Sequence, residues 1–567
     1  MKPLSWLTSA SILGLSKGQH MGFDAREATI SSIHSELFAG LTTCRAIVSA
    51  FIARIEAYNP LINAVITLNS DALNIADSLD ESLASGNTTG KLFCIPVLLK
   101  DNYDAVPMAT TGGSLQLSTC SPLQDGPTVL ALRAAGAVLL GKTNLHEFAL
   151  EGLGLSSLGG QTLNPYDLTR TAGGSSSGTG AAIAASFAVF GTGTDTVNSL
   201  RSPASANSLY SFRPTRGLIS RAGIIPVSHT QDTAGAIGRS LLDIATALTV
   251  MSSVGYDSSD NATSEIPSSA IGTDYTSFLS LNDNPTNLTG IHIGLLEGFF
   301  NRTTSSETTP VNNLMDAVIS QLQRQGATII PIKDTTTYNA TSILSELDVQ
   351  KFEYRELLSE YLSSPNLQGT HPRSMPEIYI NSTITDTTTR PNFVVIPAQY
   401  QHIQQSLVSS TSNTSYTTIK ARIANLTQTL HSTLRTQRLS AIIYPEQKNL
   451  VVPIGSPSQS GRNGILAALT GSPVITIPIG FSPASETAPI GIPVGMEILG
   501  LPFSEGTLLR IAKGIDDRLH ARRSPVTAGL NDYDDAAAAV QHPPHYSSVP
   551  TITPLNNIPA AYPLGRF

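Results

Sequence analysis

The chain has 567 residues, of which 41% are apolar and only 13% charged, and a net charge of -8. That length exceeds the roughly 250–300 residues at which one core usually stops growing, so a large domain with insertions or two domains is expected. So few charges exclude a disordered chain and a charge-driven partner, and the acidic balance offers nucleic acid no basic surface.

The N-terminal stretch MKPLSWLTSASILGLSKGQH, residues 1–20, has Lys2, a mostly apolar run from Leu4 to Leu15, and small residues at Ser16 and Gly18. That layout favours a secretory signal over a frayed N-terminal helix, and so the secretory pathway over the cytoplasm. No stretch reaches the roughly 18 uninterrupted apolar residues of a membrane span. Eight N-x-[ST] sequons begin at Asn87, Asn261, Asn287, Asn301, Asn339, Asn381, Asn413 and Asn425. Chance would give nearly as many in a chain this rich in Asn, Ser and Thr, so they do not decide the compartment. Cys44, Cys94 and Cys120 are too few for a disulfide framework and lack zinc spacing, and Cys94 in KLFCIPVLL reads as a small core residue.

From Ala28 to Tyr58 apolar residues recur at helical spacing, with a stop expected at Asn59-Pro60. CIPVLLKDN reads as a buried strand running into a polar turn. GPTVLALRAAGAVLLGKTN reads as a helix followed by a strand. SSGTGAAIAASFAVFGTGTD reads as a small-residue helix packed very close to a sheet, followed by another strand. This alternation predicts an α/β sheet covered by helices. Between residues 255 and 460 strand signals become scarce, and TTTYNATS and NSTITDTTT read as surface loops. SPVITIPIGF and IPVGMEILG restore strands, SEGTLLRIAKGIDDRLH adds a helix, and residues 524–567 read as an extended tail.

Three short stretches carry chemistry. Taken alone, GGSSSG resembles a phosphate-cradling turn, but it ends in Gly178-Thr179-Gly180 without the Gly-Lys-Ser/Thr of a P-loop. VLLKDN puts Lys100 at the end of an apolar strand. GTGTDTVNSLRSPAS puts Ser199 in a turn after a small-residue strand. Read singly, Lys100 beside Asp101 would be a surface ion pair and Ser199 a turn cap. His146-Glu147 does not complete H-E-x-x-H, so no metal site is predicted, and His229 reads as a loop or packing residue.

Together these stretches resemble the amidase signature family: Lys100 after an apolar strand, the loop Gly173 to Gly178, and a nucleophile loop close to G-T-D-x-x-x-S-x-R from Gly193 to Arg201. FRPTRGLISRAGIIPVSHTQDTAGAIGRS and GSPVITIPIGF…GIPVGMEILG are also similar to family segments. The similarity runs from about residue 25 to 520 and is thinnest over 255–460. It implies a single large α/β domain with a mixed twisted sheet surrounded by helices. It also implies a Ser-cisSer-Lys triad in which Ser199 is the nucleophile, Ser175 the bridging serine after a cis bond, and Lys100 the base.

The chemistry fits those residue types. A serine hydroxyl needs a neighbouring base, and lysine serves as one only when burial keeps it neutral. The resemblance further implies an oxyanion hole of backbone N–H groups at Thr196, Val197 and Asn198, beside that of Ser199 itself. Gly173, Gly174, Ser176, Asp195 and Arg201 are implied as loop support. Val197-Asn198 stands where the family has a glycine pair. A β-branched valine resists positive φ, so this departure is expected to reshape the floor of the site.

The expected activity is hydrolysis of a small-molecule carboxylic amide through an acyl-enzyme, with no cofactor and no nucleic acid. The alternatives are a transacylase or esterase, one component of a tRNA-dependent amidotransferase, or a non-catalytic binding protein on the same scaffold.

Overall fold

The computed structural model describes residues 23–88, 90–280, 288–380 and 395–526. The signal-like segment 1–20, the loop NSTITDTTT, the sequons at Asn287 and Asn381 and the tail beyond residue 526 lie outside the described residues.

One mixed sheet of 11 strands organises the chain. Its order is Val65–Leu68, Val138–Thr143, Pro96–Lys100, Phe190–Asp195, Thr233–Gly238, Tyr210–Arg213, Val474–Phe481, Pro493–Leu499, Ala441–Pro445, His292–Leu296 and Thr328–Ile332. Pro96–Lys100 runs parallel to both of its neighbours, pairing Val97 with Phe190 on one side and Val97 with Leu139 on the other. All five of its residues are buried, as a parallel strand covered on both faces requires. Two chain ends that matter, Lys100 and Asp195, therefore leave adjacent parallel strands at the same edge. That edge is where open α/β sheets place ligands.

Ser177–Ala184 is a fully buried helix whose residues are almost all small. A Cβ added at Gly178 would lie 2.4 Å from the carbonyl oxygens of both Ala64 and Asn144. Only glycine lets the helix start this close to the sheet, which fixes where the preceding serines stand.

Three readings of the sequence are corrected. The helix expected over Ala28–Tyr58 is two, Ile30–Phe38 and Cys44–Ile62. Gly40 breaks it at φ +69°, and Thr43 caps the second helix by accepting the Ala46 N–H. Pro60 does not stop that helix; it sits in the last turn, and Asn63 ends it in the left-handed region at φ 53°. Residues 255–460 also supply three strands of the main sheet. Their signal is weak in sequence because long helices such as Thr309–Arg324 and Thr414–Thr436 separate them.

The third correction concerns Cys94, which is not a free core thiol but is disulfide-bonded to Cys44; Cys120 remains free and buried. The two partners are 50 residues apart in sequence, and only the packing of helix Cys44–Ile62 against the sheet joins them. Replacing both by serine opens a loop whose closure is worth about 4 kcal/mol in the chain-entropy account. Chemical denaturation of that double variant is expected to show a loss of this order; a loss below about 1 kcal/mol would mean the bridge adds little.

Candidate active site

Lys100 is completely buried at its strand end. Its backbone N–H donates to Thr192 Oγ1 (3.1 Å), and Nζ lies 2.7 Å from Ser175 Oγ and 2.8 Å from Thr194 Oγ1. Burial pulls the lysine down from 10.5 to about 7, although Asp195 and Asp232 oppose the shift. Much of the amine is therefore neutral at physiological pH. The ion pair with Asp101 does not form; Asp101 accepts from Lys142 Nζ at 3.0 Å instead.

Ser175 follows a cis peptide bond from Gly174, and its carbonyl accepts the His146 N–H at 3.0 Å. Gly173 takes φ +67°, and a Cβ there would meet the Ser202 carbonyl oxygen at 2.8 Å. The Ser176 N–H donates to the Ser199 carbonyl at 3.3 Å, and Ser176 Oγ donates to the Thr194 carbonyl at 3.4 Å. These bonds lace the Gly173–Ser176 turn to the loop that carries Ser199. Ser199 itself borders a pocket of about 170 Å³.

Four carbonyls around the Ser199 loop are held from the interior. Asp195 O accepts from Arg213 Nη1, Thr196 O from Gln231 Nε2, Val197 O from Arg201 Nη2, and Asn198 O from the Arg201 and Ser202 N–H groups. In a trans peptide the N–H points opposite to the carbonyl of the same unit. The N–H groups of Thr196, Val197, Asn198 and Ser199 are thereby turned away from those donors. Among the described residues no protein acceptor takes them. Neither Val197 nor Asn198 has positive φ, so the loop accommodates both without the conformation that valine resists. Val197 packs into the apolar cluster with Phe299, Ile465 and Leu466.

Beneath the loop lies a sealed charge network. Arg201 pairs with Asp195 (3.0 Å) and Glu497 (2.7 Å), and Arg213 with Asp195 (2.7 Å); all four side chains are wholly buried. The two guanidinium groups hold Asp195 far below the usual carboxylate range despite its burial.

Glu151 and Arg462 pair across the pocket wall at 3.3 Å. Leu344, Asp348, Gln350, Gln399 and His402 from the middle region close the rest. Thr196 also borders a second cavity of about 320 Å³ on its other side, where its hydroxyl donates to Asp232 Oδ1 at 2.6 Å. His146 and Glu147 serve structure: His146 Nε2 faces Gln399 at 3.4 Å, and Glu147 Oε2 accepts the Ser157 N–H. His229 is exposed and offers its carbonyl to Arg221.

The structure thus brings Lys100, Ser175, Ser199 and the loop 195–201 to one edge. The sequence reading missed Thr194, Arg213, Glu497 and Glu446. Thr194 had a signal, since Thr192 and Thr194 alternate on one strand face beside Lys100; the others are distant in sequence and had none.

A buried lysine at the end of an internal parallel strand, facing two serine-bearing loops, is the layout of a hydrolytic site. Comparison with known proteins agrees: the chain belongs to the family described as Amidase, whose profile matches residues 46–509. It is an amide-hydrolysing enzyme of that family. It is 29% identical to the mandelamide hydrolase of Pseudomonas putida over 503 residues, 86% of this chain and 90% of that one. It is 28% identical to a glutamyl-tRNA(Gln) amidotransferase component from Pelodictyon phaeoclathratiforme, covering 86% and 98% of the two chains. The crystal structure of a peptide amidase from Stenotrophomonas maltophilia superposes with a TM-score of 0.73 at 31% identity, covering 88% of this chain and 98% of that one.

Removing Arg201 leaves the carboxyl groups of Asp195 and Glu497 buried without their shared cation. Arg201→Met is therefore expected to cost about 3–5 kcal/mol of stability, read by denaturant unfolding. A cost below about 1 kcal/mol would contradict the assignment of this network as the support of the loop.

Proposed function

We propose that this enzyme hydrolyses amides through a Ser199–Ser175–Lys100 triad and an acyl-enzyme. The observation that carries the reading is the 2.7 Å contact between Lys100 Nζ and Ser175 Oγ, both side chains being fully buried. Neutral Lys100 takes the Ser175 proton while Ser175 takes that of Ser199, and Ser199 Oγ bonds to the substrate carbonyl carbon. The oxygen of that carbonyl becomes an oxyanion and accepts the turned-out N–H groups of the Thr196–Ser199 loop. As the C–N bond breaks, the proton returns through Ser175 to the leaving amine. Water then adds to the acyl-enzyme by the same relay, and the acid and free Ser199 are released.

The wall of the pocket supports an acyl group with hydrogen-bonding atoms. Glu151, Arg462, Gln399, His402 and Asp348 all line it, and a long alkyl chain would desolvate these polar groups while offering them no hydrogen bond of its own. An aminoacyl or peptidyl carboxamide fits this chemistry, and the likeness to a peptide amidase points the same way. The Cys44–Cys94 bridge supports an oxidising compartment, and with the signal-like N-terminus we assign the enzyme to the secretory pathway.

The test uses a fluorophosphonate, which forms a bond to a reactive serine oxygen and expels fluoride. Labelling of purified protein is expected at Ser199 by peptide mapping, with the rate in Lys100→Ala falling at least about a hundredfold. An N-acetyl aminoacyl amide should be hydrolysed faster than a fatty amide of similar size. Labelling elsewhere, or at Ser199 with no dependence on Lys100, would overturn the triad.

A further inference from the structure

Asn198 occupies a position where a side chain is a departure, and its side chain has somewhere to go. Asn198 Nδ2 donates to Glu446 Oε1 at 3.1 Å, a contact spanning 248 residues of sequence. Glu446 is 1% exposed and follows the strand Ala441–Pro445. Its own backbone is fixed, its N–H donating to Gly495 O (3.1 Å) and its carbonyl accepting from Asn463 N (3.2 Å). Gly464 closes the remaining side: a Cβ there would lie 2.6 Å from Asn198 Cβ and 2.2 Å from the Val197 carbonyl oxygen. The Asn198 side chain is thus held at Glu446, with the Gly464 backbone packed against its Cβ.

The charges around this contact make the state of Glu446 matter. The groups facing it are Glu497 from the strand Pro493–Leu499, Arg201 from the helix after Ser199, and Asp195 from the strand Phe190–Asp195. Counting Arg213, two guanidinium groups and three carboxyl groups are buried together. The charges balance only when one carboxyl keeps its proton. Asp195 and Glu497 both take hydrogen bonds from Arg201, whereas the neighbour of Glu446 is the neutral Asn198 amide. A protonated carboxyl accepts that amide through its carbonyl oxygen, as a glutamine would.

We propose that Glu446 is a positioning residue for the reaction: uncharged, it anchors the Asn198 side chain and so sets the Asn198 and Ser199 N–H groups toward the developing oxyanion. This rests on the triad reading above. Burial and the nearby Glu497 raise Glu446 to about 8, so the neutral form prevails at physiological pH. Above that, a carboxylate forms behind the loop that must receive negative charge, and oxyanion stabilisation falls. Lys100, in contrast, becomes active as pH rises through about 7. The enzyme therefore works in a narrow window whose two limbs belong to different residues.

The experiment measures the second-order rate of Ser199 phosphonylation by a fluorophosphonate, from about pH 6 to about pH 10, on the full-length enzyme. Wild type is expected to rise through about pH 7 and to lose at least about fivefold between pH 8 and pH 10. Glu446→Gln should keep the rise and lose the alkaline fall. Asn198→Ala should be slower by about tenfold at neutral pH with its melting temperature within a few degrees of wild type. An alkaline fall with the same midpoint in Glu446→Gln, its absence from wild type, or wild-type rates in Asn198→Ala would each overturn the role of Glu446. Failure of wild type to label at Ser199 at any pH would instead overturn the triad, and this role with it.

Discussion

Everything at this site follows from burying an amine. As the proposed base, Lys100 is useful only without its proton, and burial is what brings its proton affinity down to the required range. The fold meets that demand by ending an all-apolar strand on Lys100 between two parallel neighbours, and by covering it with small residues. Gly173 and Gly178 bring the serines between them close because neither glycine carries a Cβ to prevent the approach. The polar atoms Lys100 meets are hydroxyls, Ser175 and Thr194, which accept a hydrogen bond without restoring the charge.

The second constraint is the mirror of the first. A loop that presents N–H groups to a substrate must have its carbonyls held on the other side. Here Arg201 and Arg213 supply much of that hold. Guanidinium groups cannot be buried alone, so Asp195 and Glu497 accompany them, and the network is sealed. The proposed hole is thus built from the back, by charge pairs that never touch substrate. This explains how Val197 and Asn198 can replace smaller residues: the donors belong to the backbone, and both side chains have places prepared for them in the apolar cluster and at Glu446.

How much of this was legible depended on sequence distance. Lys100, Ser175 and Ser199 lie in short stretches whose residue types and order carry the signal, as do the strands Pro96–Lys100 and Phe190–Asp195. Asp195 and Arg201 are six residues apart, so their pairing could be expected from the loop alone. Glu497 meets Arg201 across 296 residues and Glu446 meets Asn198 across 248; no local pattern encodes such contacts. The Cys44–Cys94 bridge was hidden for the same reason. The strands of the middle region escaped notice because strands of five residues between long helices carry little periodicity of their own.

The measurement that bears most directly on the central claim is the acid limb of Ser199 phosphonylation in wild type. A lysine neutralised by burial predicts a rate that rises with pH and inflects near 7, where the neutral form of Lys100 becomes dominant. A rate flat through that range and rising only near the lysine's ordinary value of about 10.4 would contradict it, because Lys100 would then be an ordinary cation and not the base.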